Sequence, residues 1–521
     1  MKAALAFAPR IIFLSMVLSC TASVGIAPVF AASNDHSDEL QTQEQALRAG
    51  KTTSTELLQK YLDRIRQYNP NVNAVLNIDP QASQAAARVD LKKSTPGPLA
   101  GLPLLIKDNI DAQGMITTAG SIALSQNVQQ KDAPLVARLR VAGAIIVGKA
   151  NLSEWANLRS SKSSSGWSSA GGQVRNPYGA DYSPCGSSSG SGAAVAARMI
   201  PAAIGTETDG SIVCPASVNG VVGLKPTVGL VSRTGIVPIS HSQDTAGPIT
   251  LTVRDSAMLL NAIAGSDPQD PATKDADRRR AKDYTAGLNK HGLQGKRLGV
   301  VTNLTAGYDA ETKLLFERSV AILKAQGATI LNVELPGIEN IDKDELTVLL
   351  YEFKADLNAY LAGTPASVKY RTMADVITFN NTHAAQVMPY FGQDLMEQAQ
   401  ATTNLNDPAY LHAAARIKQL TGKEGIDAVI AKYKLDALVA PTTGPAWAID
   451  YQAGDVVDGS SSTPAAVAGY PDLTVPMGLV RGFPVGISFF GGAWSEARLL
   501  AIGYAFEQAR PALPLPVLLT K

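Results

Sequence analysis

Short apolar runs alternate with helical patterns along this chain, and a chain with that rhythm folds as a sheet covered by helices. Leu102-Pro103-Leu104-Leu105-Ile106 follows Gly101 and reads as a buried strand, although Pro103 lacks an N–H and limits pairing at its start. Residues 133–141 carry a helical pattern, Gly143 stops it, and Ala144-Ile145-Ile146-Val147 is a second apolar run. The same order returns at 298–301, 310–324 and 328–333, with one more apolar run at 435–440. The expected fold is therefore α/β with a mixed sheet. Upstream, Thr53-Ser54-Thr55-Glu56 is a capping box, and Leu57, Leu58, Tyr61, Leu62 and Ile65 recur at the spacing of an amphipathic helix. From 284 to 434 long helical patterns dominate, as at 345–361 and 409–420, so this part is expected to be a largely helical region packed beside the sheet.

A chain of 521 residues is long enough for two or more domains, yet a large α/β sheet absorbs that length in one unit, and one domain over 32–521 is expected. Lys plus Arg total 46 against 45 Asp plus Glu, which leaves no net field to draw in nucleic acid or an anionic membrane. A neutral or mixed-charge substrate fits that balance. Residues 1–31 read as a secretory signal: Lys2 and Arg10 are the positive part, 11–24 the apolar part, and Val29-Phe30-Ala31 the end before Ala32. Ser15, Ser19, Thr21 and Gly25 break the apolar part, which argues against a retained membrane anchor. Val17-Leu18-Ser19-Cys20 fits a lipoprotein signal only loosely, so export by simple cleavage, to a periplasm or to the medium, ranks above it. Cleavage would leave Cys185 and Cys214, too few for a disulfide scaffold but free to pair with each other. The five histidines show no CxxC-like partner, HExxH or paired spacing, so no metal is expected.

The stretch 160–192 breaks the rhythm, with Ser160-Ser161-Lys162-Ser163-Ser164-Ser165 and Gly186-Ser187-Ser188-Ser189-Gly190-Ser191-Gly192. By composition alone this suits a flexible linker. It runs, however, directly into the helix-forming segment 193–199 and then Ile204-Gly205-Thr206, and a linker seldom sits inside so continuous a core. Two Ser/Gly turns, 185–192 and 205–211, put Ser187 and Ser211 24 residues apart, with Lys107 on an apolar strand end 80 residues before Ser187. Glycine lets the backbone approach a ligand closely, so such turns can aim several N–H groups at one oxygen, as an oxyanion hole requires. Each residue also has a plainer reading: most lysines are solvated surface groups, and serines in glycine-rich turns mostly shape the turn.

The segment Ser183-Pro184-Cys185-Gly186-Ser187-Ser188-Ser189-Gly190-Ser191-Gly192-Ala193-Ala194-Val195-Ala196 resembles the amidase signature family, as do Gly205-Thr206-Glu207-Thr208-Asp209-Gly210-Ser211-Ile212 and 220–227. Supporting pieces occur at 103–108, 148–154, 244–248 and 468–476, and the resemblance runs from about 40 to 510. It implies a mixed, twisted central sheet covered by helices, no cofactor, and a Ser-cis-Ser-Lys triad. The family's roles carry over to Ser211 as nucleophile, Ser187, after a cis peptide bond, as proton bridge, and Lys107 as base. The backbone N–H groups of Thr208, Asp209, Gly210 and Ser211 match the family's oxyanion hole. A lysine serves as base only when neutral, so burial has to depress its pKa, and an apolar strand end suits that.

The chain departs from the common family pattern in several places. Cys185-Gly186 replaces a double glycine, Ser189 replaces a glycine, Glu207-Thr208-Asp209-Gly210-Ser211 replaces Asp-Thr-Gly-Gly-Ser, and Val213 stands where many members have arginine. A carboxylate at Asp209 beside an oxyanion would be harmful unless it points away or pairs with a cation. These variants, with Ile212-Val213-Cys214-Pro215 and Leu349-Leu350-Tyr351-Glu352-Phe353-Lys354, are similar to bacterial peptide amidases, which hydrolyse the C-terminal amide of peptides. That similarity implies a peptide-amide substrate, an acyl-enzyme and a monomer, with 284–434 as one wall of the cleft. Other small aliphatic or aryl amides are the alternative substrates. Gly186-Ser187-Ser188-Ser189-Gly190 also satisfies GxSxG, with His241 as base, but that motif should follow a buried strand and Asp181-Tyr182-Ser183-Pro184 precedes it. A cytoplasmic amidotransferase component conflicts with the export signal, and an exported, non-catalytic solute-binding protein conflicts with three intact triad positions.

Overall fold

A computed structural model describes residues 36–91 and 97–518. The expected signal segment 1–31, with Cys20, lies outside the described residues. Among the described residues, thirteen strands occur in chain order: β1 Val75–Ile78, β2 Pro103–Lys107, β3 Ile145–Ala150, β4 Trp167–Ser168, β5 Gly172–Gln173, β6 Ala202–Glu207, β7 Val222–Lys225, β8 Thr245–Thr250, β9 Arg297–Val301, β10 Thr329–Val333, β11 Ala437–Pro441, β12 Asp472–Val480 and β13 Phe483–Phe490. Eleven of them form one sheet in the order β1-β3-β2-β6-β8-β7-β12-β13-β11-β9-β10, while β4 and β5 make a separate hairpin. The sheet is mixed: β2 lies parallel to β3 and to β6, whereas β8, β12 and β13 pair antiparallel with their neighbours. Strands β2, β3, β6 and β11 are buried along their whole length, which explains why they read as unbroken apolar runs rather than alternating ones.

The expected strand at 102–106 is displaced by one residue, so that Lys107 itself closes β2 and Pro103 opens it, where a missing N–H is tolerated. Thr53 and Glu56 form the expected capping box at the start of the Ser54–Val72 helix, and Leu57, Leu58, Tyr61 and Ile65 face the core. The helix expected at 193–199 instead runs Ser189–Ala196, beginning inside the Ser/Gly run. Packing causes the early start: a Cβ on Gly190 would lie 2.3 Å from the Ala74 carbonyl oxygen and 2.4 Å from that of Asn151. Glycine is needed there for the helix to approach the sheet. The early end follows from Arg198, whose φ of 55° is left-handed and cannot continue the helix.

The region 284–434 is largely helical, with the strands expected at 298–301 and 328–333 at its start. Its first part supplies β9, β10 and the intervening Ala310–Ala325 helix, which extend the sheet edge. The remainder is helical, built from Asp342–Ala362, Met373–Thr382, Asp394–Ala401 and Pro408–Lys418, and the first of these packs against the last two. The parallel register of β2 and β6, with Ile106 opposite Ile204, brings Lys107 and Thr206 to the same carboxyl edge of the sheet. Open α/β sheets bind ligands at such edges.

Candidate active site

Lys107 has no exposed surface. Its Nζ lies 2.8 Å from Ser187 Oγ, 2.8 Å from Thr206 Oγ1 and 3.2 Å from the Thr206 carbonyl oxygen. Asn109 Nδ2 donates to the same Thr206 hydroxyl at 2.9 Å, so Thr206 fixes the lysine from the adjacent strand. Burial pushes the Lys107 pKa down to about 7, against the opposing pull of the Asp244 and Glu207 carboxylates. A large fraction of the side chain is therefore neutral near pH 7, the form that accepts a proton.

Ser187 follows a cis peptide bond from Gly186. Gly186 has no room for a side chain, since a Cβ there would meet Ser153 Oγ at 2.3 Å. Ser188 joins the two serine turns: its N–H donates to the Ser211 carbonyl at 3.1 Å, and its hydroxyl donates to the Thr206 carbonyl at 2.9 Å. A disulfide between Cys185 and Cys214 also links them, which answers the question their sequence positions left open. It ties the residue before Gly186 to the helix that starts just after Ser211.

Ser211 sits in a turn at the end of β6. Glu207 shapes this turn by accepting the N–H groups of Ile212 at 2.7 Å and Val213 at 3.0 Å, and Gly210 adopts a φ of 78°. Among the described residues, the N–H groups of Thr208, Asp209, Gly210 and Ser211 donate to no group of the chain. Free, neighbouring donors of this kind suit an anionic oxygen. The Thr208 hydroxyl also donates to Asp244 Oδ1, at 2.6 Å. Asp244 Oδ2 in turn accepts the N–H groups of Ile239 and Ser240, and burial pushes its pKa up to about 6.

Asp209 turns out to be held by hydroxyl groups rather than by a cation. Ser462 Oγ donates to one carboxylate oxygen and Thr463 Oγ1 to the other at 2.7 Å. Burial raises the Asp209 pKa, and Glu345 beside it is held well above the usual carboxylate range by burial and by the Asp209 charge. Glu345 also accepts from Gln243 Nε2 at 2.9 Å. Ser462, Thr463, Glu345 and Ser188 were not singled out from the sequence. Ser188 lies in the quoted Ser/Gly run, whereas the other three lie 134 or more residues from Ser211 in ordinary polar contexts.

The GxSxG reading does not match this geometry. No strand leads directly into Gly186, the last one before it, β5, ending at Gln173, and Lys107 rather than His241 bonds Ser187. The His241 ring is engaged by Asp356 at 2.9 Å and approaches Glu352 at 3.3 Å. These three groups bring ligand atoms within 4.8 Å of one another, a convergence that the sequence spacing did not reveal. They are already paired with each other, and Glu352 also accepts from Ser240, Ser242 and Tyr410.

The amidase family profile matches residues 56–500. A probable amidase of Arabidopsis thaliana is 40% identical over 520 residues, covering 96% of each chain. The structure of native peptide amidase from Stenotrophomonas maltophilia superposes with a TM-score of 0.87 at 50% identity, covering 92% of this chain and 99% of that one. An amidase family protein from Bacillus anthracis superposes with a TM-score of 0.83 at 34% identity, covering 92% of each chain. With the family's profile across most of its length and the family's sheet beneath its serine turns, this chain belongs to the amidase signature family and is a hydrolase acting on amides.

Proposed function

We propose that this amidase hydrolyses the C-terminal carboxamide of peptides, releasing ammonia and the free acid, with Ser211 as nucleophile, Ser187 as proton bridge and Lys107 as base. The observation that carries the reading is the buried Lys107 amine 2.8 Å from Ser187 Oγ, with its pKa lowered to about 7. The similarity to the Stenotrophomonas peptide amidase supports the substrate class.

Neutral Lys107 takes the Ser187 proton while Ser187 takes that of Ser211, and Ser211 Oγ bonds to the amide carbon. The carbonyl oxygen becomes an oxyanion facing the free N–H groups of Thr208, Asp209, Gly210 and Ser211. The proton returns through Ser187 to the leaving nitrogen, the C–N bond breaks, and ammonia departs from an acyl-Ser211 ester. Water then gives its proton to the same relay, attacks the ester carbon, and leaves the carboxylic acid and the starting enzyme.

The test is to incubate the protein with a peptide amide, its free-acid form and a longer peptide continuing past the same residue, following masses and ammonia. Conversion of the amide alone supports the proposal. Cleavage of the longer peptide, or deamidation of glutamine or a short aliphatic amide with no action on the peptide amide, overturns the substrate assignment.

A further inference from the structure

The segment between β11 and the Thr463–Ala468 helix is attached to both sides of the serine site. On the Ser187 side, the Ser183 N–H donates to the Trp447 carbonyl at 2.7 Å and the Ile449 N–H to the Asp181 carbonyl at 2.9 Å. This piece thus pairs with the residues that lead into Cys185 and Gly186. The Asp455 carboxylate accepts the Ser165 N–H at 3.0 Å and Trp447 Nε1 at 3.0 Å. The Ser165 hydroxyl borders Gly186, where a Cβ would come within 3.0 Å of it. On the Ser211 side, Ser462 and Thr463 hold Asp209, and a Cβ on Gly210 would meet Ser462 Oγ at 3.1 Å.

Between these anchors lie Val456 and Val457, 68% and 43% exposed. Tyr451 stacks on Tyr390 with ring centroids 3.9 Å apart, and Tyr390, itself exposed, stands edge-on to Trp167 at 5.7 Å. Gln452 and Ser460 are exposed on the same segment, so its apolar surface is confined to Val456, Val457 and the Tyr390–Tyr451 stack. Small-molecule sites combine such apolar walls with a few fixed polar groups, and an apolar patch beside a reactive centre is a contact surface for the substrate.

We infer that residues 451–463 form the acyl-side wall of the substrate cleft, where Val456, Val457 and the Tyr390–Tyr451 stack receive an apolar or aromatic side chain of the residue bearing the scissile carboxamide. This rests on the peptide-amide reading above and adds a preference to it. Tyr390 comes from the helical region and Tyr451 from the bridging segment, so the wall is made by two parts of the chain far apart in sequence.

The experiment compares N-acetyl-phenylalaninamide with N-acetyl-glycinamide on wild type, on the double variant Val456→Ser with Val457→Ser, and on Tyr451→Ser. Thermal unfolding serves as the check that each variant is folded. The wild type should favour the phenylalanine amide, and each variant should lose about tenfold of that ratio of kcat/KM, mainly through a higher KM, because uniform apolar contact is removed rather than chemistry. A ratio unchanged in both folded variants, or no wild-type preference for the aromatic substrate, overturns the wall assignment while leaving the peptide-amide reading intact. A wild type that hydrolyses short aliphatic amides but neither acetylated amino-acid amide overturns both.

Discussion

Lys107 Nζ meets Ser187 Oγ at 2.8 Å although 80 residues separate the two in sequence. The contact exists because β2 ends against β6, so that Thr206 on the neighbouring strand braces the amine while the turn after Cys185 brings the serine over it. Neither residue is solvated; the burial that keeps water out leaves the amine neutral enough to accept a proton, while the Asp244 and Glu207 carboxylates keep it basic enough to hold one.

Ser211→Ala should abolish ammonia release, because it removes the atom proposed to bond to the acyl group. Ser187→Ala and Lys107→Ala should each lower kcat by roughly a thousandfold or more, and pairs of these variants should lose no more than the worse single one, as expected for groups acting as a unit. Steady-state ammonia release checks this, and near-normal turnover in Ser211→Ala would falsify the nucleophile assignment.

Activity should fall on the acid side with a midpoint near the Lys107 pKa of about 7, as the base gains a proton. Asp244, whose pKa is raised to about 6, protonates lower down, which removes a neighbouring negative charge and eases Lys107 back toward neutrality. His241→Ala should leave the acid limb in place, since that ring is paired with Asp356 and Glu352 rather than with Ser187. A limb that vanishes in His241→Ala points to the histidine instead.

The same lysine costs stability. Its folded pKa of about 7 lies below its unfolded value of 10.5, so the unfolded chain binds more protons between those values and stability rises with pH across that window. Below about 7 the amine is charged in both states and the full penalty applies. Lys107→Met should therefore be inactive yet more stable at pH 6 by roughly 1–3 kcal/mol, with the gain shrinking toward pH 10. Denaturant unfolding at the two pH values measures the difference.

The hydroxyl pair that holds Asp209 should matter for kcat more than for KM. Removing it with Ser462→Ala and Thr463→Val leaves the buried Asp209 carboxyl without the hydroxyls that turn it away from the neighbouring N–H donors, and kcat should drop by about ten- to a hundredfold. Adding Asp209→Asn to that background should restore most of the loss, because the amide can donate to an oxyanion where a misplaced carboxyl competes with it for the N–H groups. A triple variant no better than the double one shows that the hydroxyls act only on the fold.

Gly190→Ala should destabilise the chain by about 3 kcal/mol or more, since the new methyl would press on two backbone oxygens that cannot turn aside. Gly287→Ala, with nothing within 4 Å of the new atom, is the matched control. A shared unfolding midpoint for the two variants contradicts the packing argument.

Much of the fold was legible because it rests on local rules. Apolar runs at 102–106 and 144–147 marked strands buried on both faces, Thr53 and Glu56 marked a helix start, and the Ser/Gly turns with Lys107 carried the resemblance to the family and named the candidate site residues. The early start of the Ser189–Ala196 helix was not legible, since it depends on Gly190 fitting against carbonyls of Ala74 and Asn151 from other elements. The same limit applies to the partners of Asp209. From the sequence its carboxylate had to be turned away or neutralised, but that Ser462 and Thr463 do this depends on a segment 253 residues away folding across both serine turns. Short-range pattern records which side chains prefer burial and which turns the backbone can make. Which hydroxyl faces which carboxylate, and how far a lysine is stripped of water, is settled only when the sheet closes, because both depend on distances between residues the chain itself does not hold together.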